Sequence, residues 1–99
     1  DPIQAIKMFA EAVMCKSESE AMGLASGSLQ QVPFSEIVEF FGDIKLIKDP
    51  LYYKTKHTSL MLGFDDGDCI RMVPFGFSVI NENGWKIDNF YEIDTAEQS

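Results

Sequence analysis

Basic residues are scarce in this chain of 99 residues. Eight lysines and arginines stand against sixteen aspartates and glutamates, so the formal net charge is −8, and there is a single histidine. Proteins that bind nucleic acid need Lys and Arg to displace counterions from the phosphates. The composition therefore argues against a nucleic-acid partner.

Long hydrophobic runs are also missing. No apolar stretch approaches the roughly 20 residues that a membrane-spanning helix needs, so no membrane span is predicted. The chain begins at Asp1 rather than at a methionine, which is compatible with removal of an N-terminal signal. A cytoplasmic location and export after such a removal both stay open.

Cysteine is rare, and the two cysteines, Cys15 and Cys69, match no zinc or redox spacing. A disulfide between them is open in an oxidising compartment. Two unpaired, buried cysteines are the favoured interpretation, because free cysteine usually packs as a small hydrophobe. The sequence contains no phosphate-binding loop or metal cluster either, so no metal and no cofactor are predicted.

Apolar residues are plentiful by contrast. Hydrophobic residues make up 45% of the chain, and eight of its residues are phenylalanine. This composition supports a buried core, and the length is that of one domain. We predict a single domain over residues 1–99.

The first half of the chain has helical spacing. One apolar stripe begins after Pro2 and consists of Ile3, Ile6, Phe9, Ala10 and Val13. Ser17 and Glu20 then resemble a capping box that opens a short second helix, which continues through Leu24 and Ala25 and is stopped by Gly27. The letters VPFSEIVEFFG predict a third helix with Gly42 as its C-terminal cap.

After Gly42 the apolar period changes to two. Four alternating runs follow in the order DIKLIK, YYKTKHTSLMLGF, CIRMVPFGFSVI and WKIDNFYEID, separated by Asp-Pro, DDGD and NENG breaks. Pro74 within the third run predicts a bulge or an edge strand. Helices followed by a strand meander predict an α+β fold, with N-terminal helices packed on the concave face of a curved, mostly antiparallel four-stranded sheet.

This order resembles the nuclear transport factor 2-like superfamily, with its SnoaL-like and cystatin-like cones, and above all its small bacterial members of unassigned function. The motifs that carry the resemblance are Phe41-Gly42 before the first strand and Gly84-Trp85-Lys86-Ile87 opening the last strand. The resemblance implies a cone-shaped domain with a pocket at its open end and dimers packed through the sheet. Isomerase-like members place a Tyr and acids inside the cone. This chain has Phe9 on the first helix and no inward Asp on the last strand, so no catalytic residue is carried over.

A candidate ligand pocket follows from the strand parity. On the last strand the period of two places Asn89 and Tyr91 on the same face as Trp85 and Ile87. This face is predicted to point towards the helices. Polar tips on an apolar face are typical of a binding pocket, and an inward Arg71 could bind a carboxylate with two hydrogen bonds. The alternatives are that the polar pair bonds the backbone and that the arginine extends to the rim. The predicted pocket residues are Asn89, Tyr91, Arg71, Trp85 and Phe9, with a small apolar or carboxylate-bearing ligand.

Other polar clusters favour ordinary surface roles. His57 is predicted to point outward among lysines 45, 48, 54 and 56, as part of a solvated face, with an anion-contacting rim as the alternative. Asp65, Asp66 and Asp68 surround Gly67 without the spacing of an EF-hand, which indicates a hairpin turn rather than a calcium loop.

Apolar residues on the opposite sheet face predict an interface. These are Met61, Ile70, Met72 and Phe90. An apolar patch on a sheet face marks a contact surface, and a two-fold homodimer is the commonest arrangement.

Three functions are compatible with these features. The favoured one is a non-catalytic small-molecule-binding or accessory domain that dimerises through its sheet. The second is an isomerase, dehydratase or hydrolase that uses the cone pocket. The third is an acidic protein that binds a basic partner, as immunity or inhibitor proteins do, with the net charge steering the encounter.

Overall fold

The computed structural model describes residues 2–48 and 58–93. Within these residues the helices precede the strands, which confirms the predicted α+β class. The helices are α1 (Pro2–Met14), α2 (Glu18–Gly23) and α3 (Phe34–Phe41), with a 3₁₀ turn at Leu29–Gln31 between the last two. The strands are β1 (Ile44–Lys48), β2 (Thr58–Asp65), β3 (Ile70–Asn81) and β4 (Trp85–Glu92).

The four strands form one curved, open sheet in the order β1-β2-β3-β4, and every neighbouring pair is antiparallel. Helix α1 packs against β1, β2 and β4. One sheet face is therefore covered by helices, and we call the opposite one the outer face. In the described part of the chain, no helix has the length and apolar character that crossing a membrane requires.

The core lies between α1 and the sheet and is built largely from phenylalanine rings. Phe9 of α1 and Phe77 of β3 are fully buried. The Phe41 ring at the end of α3 lies 4.7 Å from the Phe90 ring and 5.2 Å from the Phe75 ring, centroid to centroid. Gly42, with φ 85°, ends α3 as predicted, and β1 begins two residues later. The aromatic core thus fixes α3 against β3 and β4.

The second helix is shorter than the sequence predicts. Helix α2 ends at Gly23, and Ser17 makes no side-chain capping bond. The next residues run parallel to β4: the Ile87 N–H donates to the Leu24 carbonyl at 2.7 Å, and the Ser26 N–H donates to the Ile87 carbonyl at 2.8 Å. The prediction that the helix continues through Leu24 and Ala25 was wrong. The edge of β4 supplies hydrogen-bond partners for the backbone of this segment, which a helix would otherwise provide. This segment covers part of an edge strand.

Pro74 does not interrupt the sheet, so the bulge or edge predicted there was wrong. The pairing of β2 with β3 is continuous from Thr58 opposite Phe77 to Asp65 opposite Ile70. The Pro74 carbonyl accepts the Ile93 N–H at 3.0 Å. The N and the C=O of a residue in an antiparallel strand point to the same neighbouring strand, which for Pro74 is β4. Because β4 ends at Glu92, the N–H that Pro74 lacks would have had few partners there, and the sheet loses little hydrogen bonding.

A bulge in β4 reverses the predicted faces of that strand. Val79 pairs with Ile87 and Ser78 pairs with Asn89, which leaves Asp88 as the extra residue. Ile87 faces the helices and is fully buried. Beyond Asp88 the alternation restarts one residue later, so the inward direction predicted for Asn89 was wrong.

The same shift moves the next two side chains. Phe90 pairs with the inward-facing Phe77 and packs against the core, whereas Tyr91 pairs with Gly76 on the outer face. The predicted outward Phe90 and inward Tyr91 were therefore both wrong. One inserted residue exchanges every following side chain between the two faces, because the period of a strand is two.

The turn between β2 and β3 is the predicted hairpin. Gly67 has φ 83°, its N–H donates to Asp65 Oδ1 at 3.2 Å, and the Asp66 N–H donates to the Cys69 carbonyl at 2.9 Å. Cys69 in this turn and Cys15 after α1 are both free and exposed. Burial of the cysteines was thus predicted wrongly, because neither residue falls on a face that packs against the core.

Candidate functional site

A small cleft lies on the helix-covered side, where α3 ends, β3 begins and β4 ends. Its volume is about 200 Å³, and we call it the end cleft. It is lined by Phe40, Phe41, Phe64, Arg71, Val73, Phe75 and Glu92. The cleft combines an aromatic wall with one cation and one carboxylate.

Arg71 sits over an aromatic ring at this cleft. Its guanidinium carbon lies 5.9 Å from the centroid of the Phe64 ring, which is also its register partner on β2. A cation over a ring face is attracted by the ring quadrupole. Arg71 therefore has the inward parity that the sequence predicts, and its exposed side chain has the fork geometry that binds a carboxylate.

Glu92 enters the end cleft because of the β4 bulge. It pairs with the inward-facing Phe75 and is exposed. Sequence reasoning assigned Glu92 to the opposite face, since no residue pattern marks Asp88 as an inserted position. The cleft is smaller than the roughly 300–1,000 Å³ typical of small-molecule sites, so it would accommodate only a small group.

Asn89 and Tyr91 do not reach this cleft. Asn89 Oδ1 accepts the N–H of Phe90 at 2.8 Å, and its side chain is exposed. The Tyr91 ring lies over Gly76 on the outer face, where an added Cβ would come within 2.5 Å of Tyr91 Cζ.

The other predicted pocket residues are also separated. Phe9 is fully buried, with its ring centroid 6.0 Å from that of Phe90, and Trp85 is exposed at the start of β4. Of the five predicted pocket residues, Arg71 is the one that lines the end cleft. The structure does not bring the five together.

The outer face carries three of the four predicted interface residues. Ile70 is 43% exposed, Met72 follows it on the same face of β3, and both Met72 and Met61 are half-buried. Leu46 of β1, which was not predicted, is 39% exposed on the same face. Phe90 is absent from this set because the bulge turns it inward, and Tyr91 takes its place.

Ser26 fixes the bulge that creates this arrangement. It is fully buried; its Oγ donates to Asp88 Oδ1 at 2.8 Å and accepts the Leu29 N–H at 3.1 Å. One hydroxyl thus joins the bulged residue of β4 to the first residue of the 3₁₀ turn. This contact joins positions 62 residues apart, so no local pattern could have revealed it.

We expect Ser26→Ala to lower the free energy of unfolding by about 1–3 kcal/mol, since it leaves a buried N–H without its acceptor. Urea unfolding followed by circular dichroism measures this loss. Ser28→Ala is the matched control, because Ser28 is exposed and its side chain makes no capping bond. An equal loss in both variants would contradict the role of Ser26.

The basic stretch is described in part. Lys45 Nζ lies 3.1 Å from Asp43 Oδ2, and Lys16 Nζ lies 3.5 Å from Asp43 Oδ1. The hydrogen bond and charge of Lys45, followed by the charge of Lys16, lower the pKa of Asp43. Residues 54, 56 and 57 lie outside the described residues, so the anion-contacting rim stays a prediction.

Comparison with family models, with curated proteins and with solved structures gave no match. The resemblance to the nuclear transport factor 2-like superfamily accordingly stays a prediction.

Proposed function

We propose that this chain is a non-catalytic accessory domain that self-associates through the outer face of its sheet. The observation that carries the proposal is the exposure of large apolar side chains there, above all Ile70 at 43% and Leu46 at 39%. Apolar patches on a sheet face are characteristic of contact surfaces. Burial of the apolar patch on the outer face would remove its apolar surface from water, which drives association.

The backbone of the outer face suits packing against a flat partner. Gly63 and Gly76 are buried on this face without side chains of their own, and a Cβ at Gly63 would lie 2.6 Å from Ile70 Cγ2. Neighbouring side chains therefore pack over the two glycines. The resulting surface is flat and apolar, as in sheets that pack face to face.

The size of the face favours a reversible dimer over a permanent one. Four strands about 4.8 Å apart, with an average length of about eight residues, present roughly 500 Å² per protomer. Two such faces bury about 1,000 Å² in total, which is the lower end for specific interfaces. We therefore expect a dimer that dissociates on dilution.

Enclosure of a small molecule has weaker support. The polar pair predicted for the pocket, Asn89 and Tyr91, lies on the outer face instead, and Tyr91 adds aromatic area to the proposed contact. The end cleft offers Arg71 and Glu92 but little volume. Self-association is therefore the part of the favoured hypothesis that the geometry supports best.

We expect Ile70→Lys and Met72→Glu to abolish the dimer, because each introduces a charge that burial would strip of water. Sedimentation velocity across a concentration series measures the mass of the wild-type chain and of each variant. Circular dichroism reports whether the variants remain folded.

Met8→Glu is the matched control. Met8 is 47% exposed, but it lies on α1, which packs on the sheet face opposite to the outer face. A wild-type chain that stays monomeric at every concentration would refute the proposal. So would folded Ile70→Lys and Met72→Glu variants with the mass of the wild type.

A further inference from the structure

A second surface lies on the helices, on the other side of the molecule from the outer face. Between α1 and α2 runs a groove of about 440 Å³, lined by Met8, Glu11, Cys15, Glu20 and Leu24. We call it the helix groove. Its volume is within the range of established binding sites.

The floor of the helix groove is apolar and adaptable. Met8 is 47% exposed, and the half-buried Leu24 lines the groove together with it. Methionine is unbranched and polarisable, and it is common at surfaces that adapt to a partner. The groove can therefore receive an apolar side chain from outside.

The walls of the helix groove carry negative charge on both sides. Glu11 projects from α1 and Glu20 from α2, and both are exposed. Lys16, in the turn that follows α1, pairs with Asp43, which does not line the groove. The net charge of −8 adds an attraction for cations at longer range.

We propose that the helix groove binds a basic amphipathic segment of a partner protein. The segment would insert an apolar side chain between Met8 and Leu24 and place lysines or arginines against Glu11 and Glu20. Anionic membranes and nucleic acids carry the wrong charge for such a rim. The groove and the outer face lie on opposite layers, so one dimer could hold two partners.

The two free cysteines provide a built-in test of where a ligand binds. Cys15 lines the helix groove, whereas Cys69 lies in the β2–β3 turn, and both are exposed. The probe is a short helical peptide with leucines along one face and lysines elsewhere. Alkylation of each thiol by iodoacetamide is followed by mass spectrometry, with and without the peptide.

We expect saturating peptide to slow alkylation of Cys15 by about tenfold or more, as buried thiols are inert, and to leave Cys69 unchanged. Unchanged alkylation of Cys15, or equal slowing of both thiols, would overturn the proposal. A peptide with the same leucines but glutamates in place of the lysines should protect neither thiol.

Charge-reversal variants distinguish binding by the two glutamates of the helix groove from a general attraction to the negative net charge. Glu11→Lys combined with Glu20→Lys should weaken binding of the lysine peptide about tenfold or more, measured by fluorescence anisotropy, because close charge pairs contribute strongly to association. Glu36→Lys combined with Glu39→Lys on α3 changes the net charge equally and should leave the affinity within about twofold. Equal weakening by the two pairs would show unspecific attraction and overturn the proposal.

Discussion

Phe77→Ala is expected to lower the free energy of unfolding by about 3–5 kcal/mol. Phe77 is fully buried in an inner strand, and its ring centroid lies 6.2 Å from that of Phe41 and 6.5 Å from that of Phe90. Removal of the ring leaves a cavity between α3 and the sheet, which the neighbouring strands cannot close. A domain of this length has a total stability of roughly 5–15 kcal/mol, so the loss is a large share of it.

Urea unfolding at a fixed protein concentration measures this effect, because dimerisation would make the midpoint depend on concentration. Phe40→Ala is the matched control: Phe40 belongs to the same ring cluster but is 48% exposed. We expect it to cost no more than about half as much, since burial sets the size of the loss. A Phe40→Ala loss equal to that of Phe77→Ala would show that the core is centred elsewhere.

Gly76→Val is expected to destabilise the domain by about 3 kcal/mol, at the upper end for overpacking. The first carbon of the new side chain would lie 2.5 Å from Tyr91 Cζ and 2.6 Å from Tyr91 Oη. Gly76 and Tyr91 are directly paired on β3 and β4. The tyrosine ring must therefore move, or the two strands must separate.

A double-mutant cycle tests whether the clash is with Tyr91. In a Tyr91→Thr background the same Gly76→Val change should cost little, because two β-branched residues pack well across neighbouring strands. Persistence of the full loss in that background would place the obstruction elsewhere and would contradict the register beyond Asp88.

These stability variants also bear on the proposed self-association. Tyr91 reaches the outer face because Asp88 is inserted into β4, and its ring covers Gly76 there. If Ser26→Ala releases the bulge, the shape of the outer face should change together with the stability. The proposed dimer and the Ser26–Asp88 contact are thus expected to be coupled, whereas the helix groove lies on the other layer.

The local elements were predictable because each depends on neighbours in the sequence. The strand within DIKLIK, the turn around Gly67 and the positive φ at Gly42 follow from residue types at short range. Outward positions on β2 and β3, such as Met61 and Met72, followed from the period of two as long as the register was continuous. The predicted α+β class was confirmed for the same reason.

The placement of the candidate sites was not predictable in this way. The end of α2 at Gly23, the inserted Asp88 and the exchange of Phe90 with Tyr91 all accompany contacts that Leu24 and Ser26 make with β4. Those partners are far apart in the sequence, and neither carries a local signal for the other.

The sequence by itself determined the class of fold, the turns, the shortage of basic charge and the apolar character of both sheet faces. Only the tertiary structure decided which polar side chains share a surface. It placed Arg71 and Glu92 along one cleft and Asn89 and Tyr91 on the outer face. The physical reason is the period of the strand: a single extra residue, held by one buried hydroxyl, reverses every side chain that follows it.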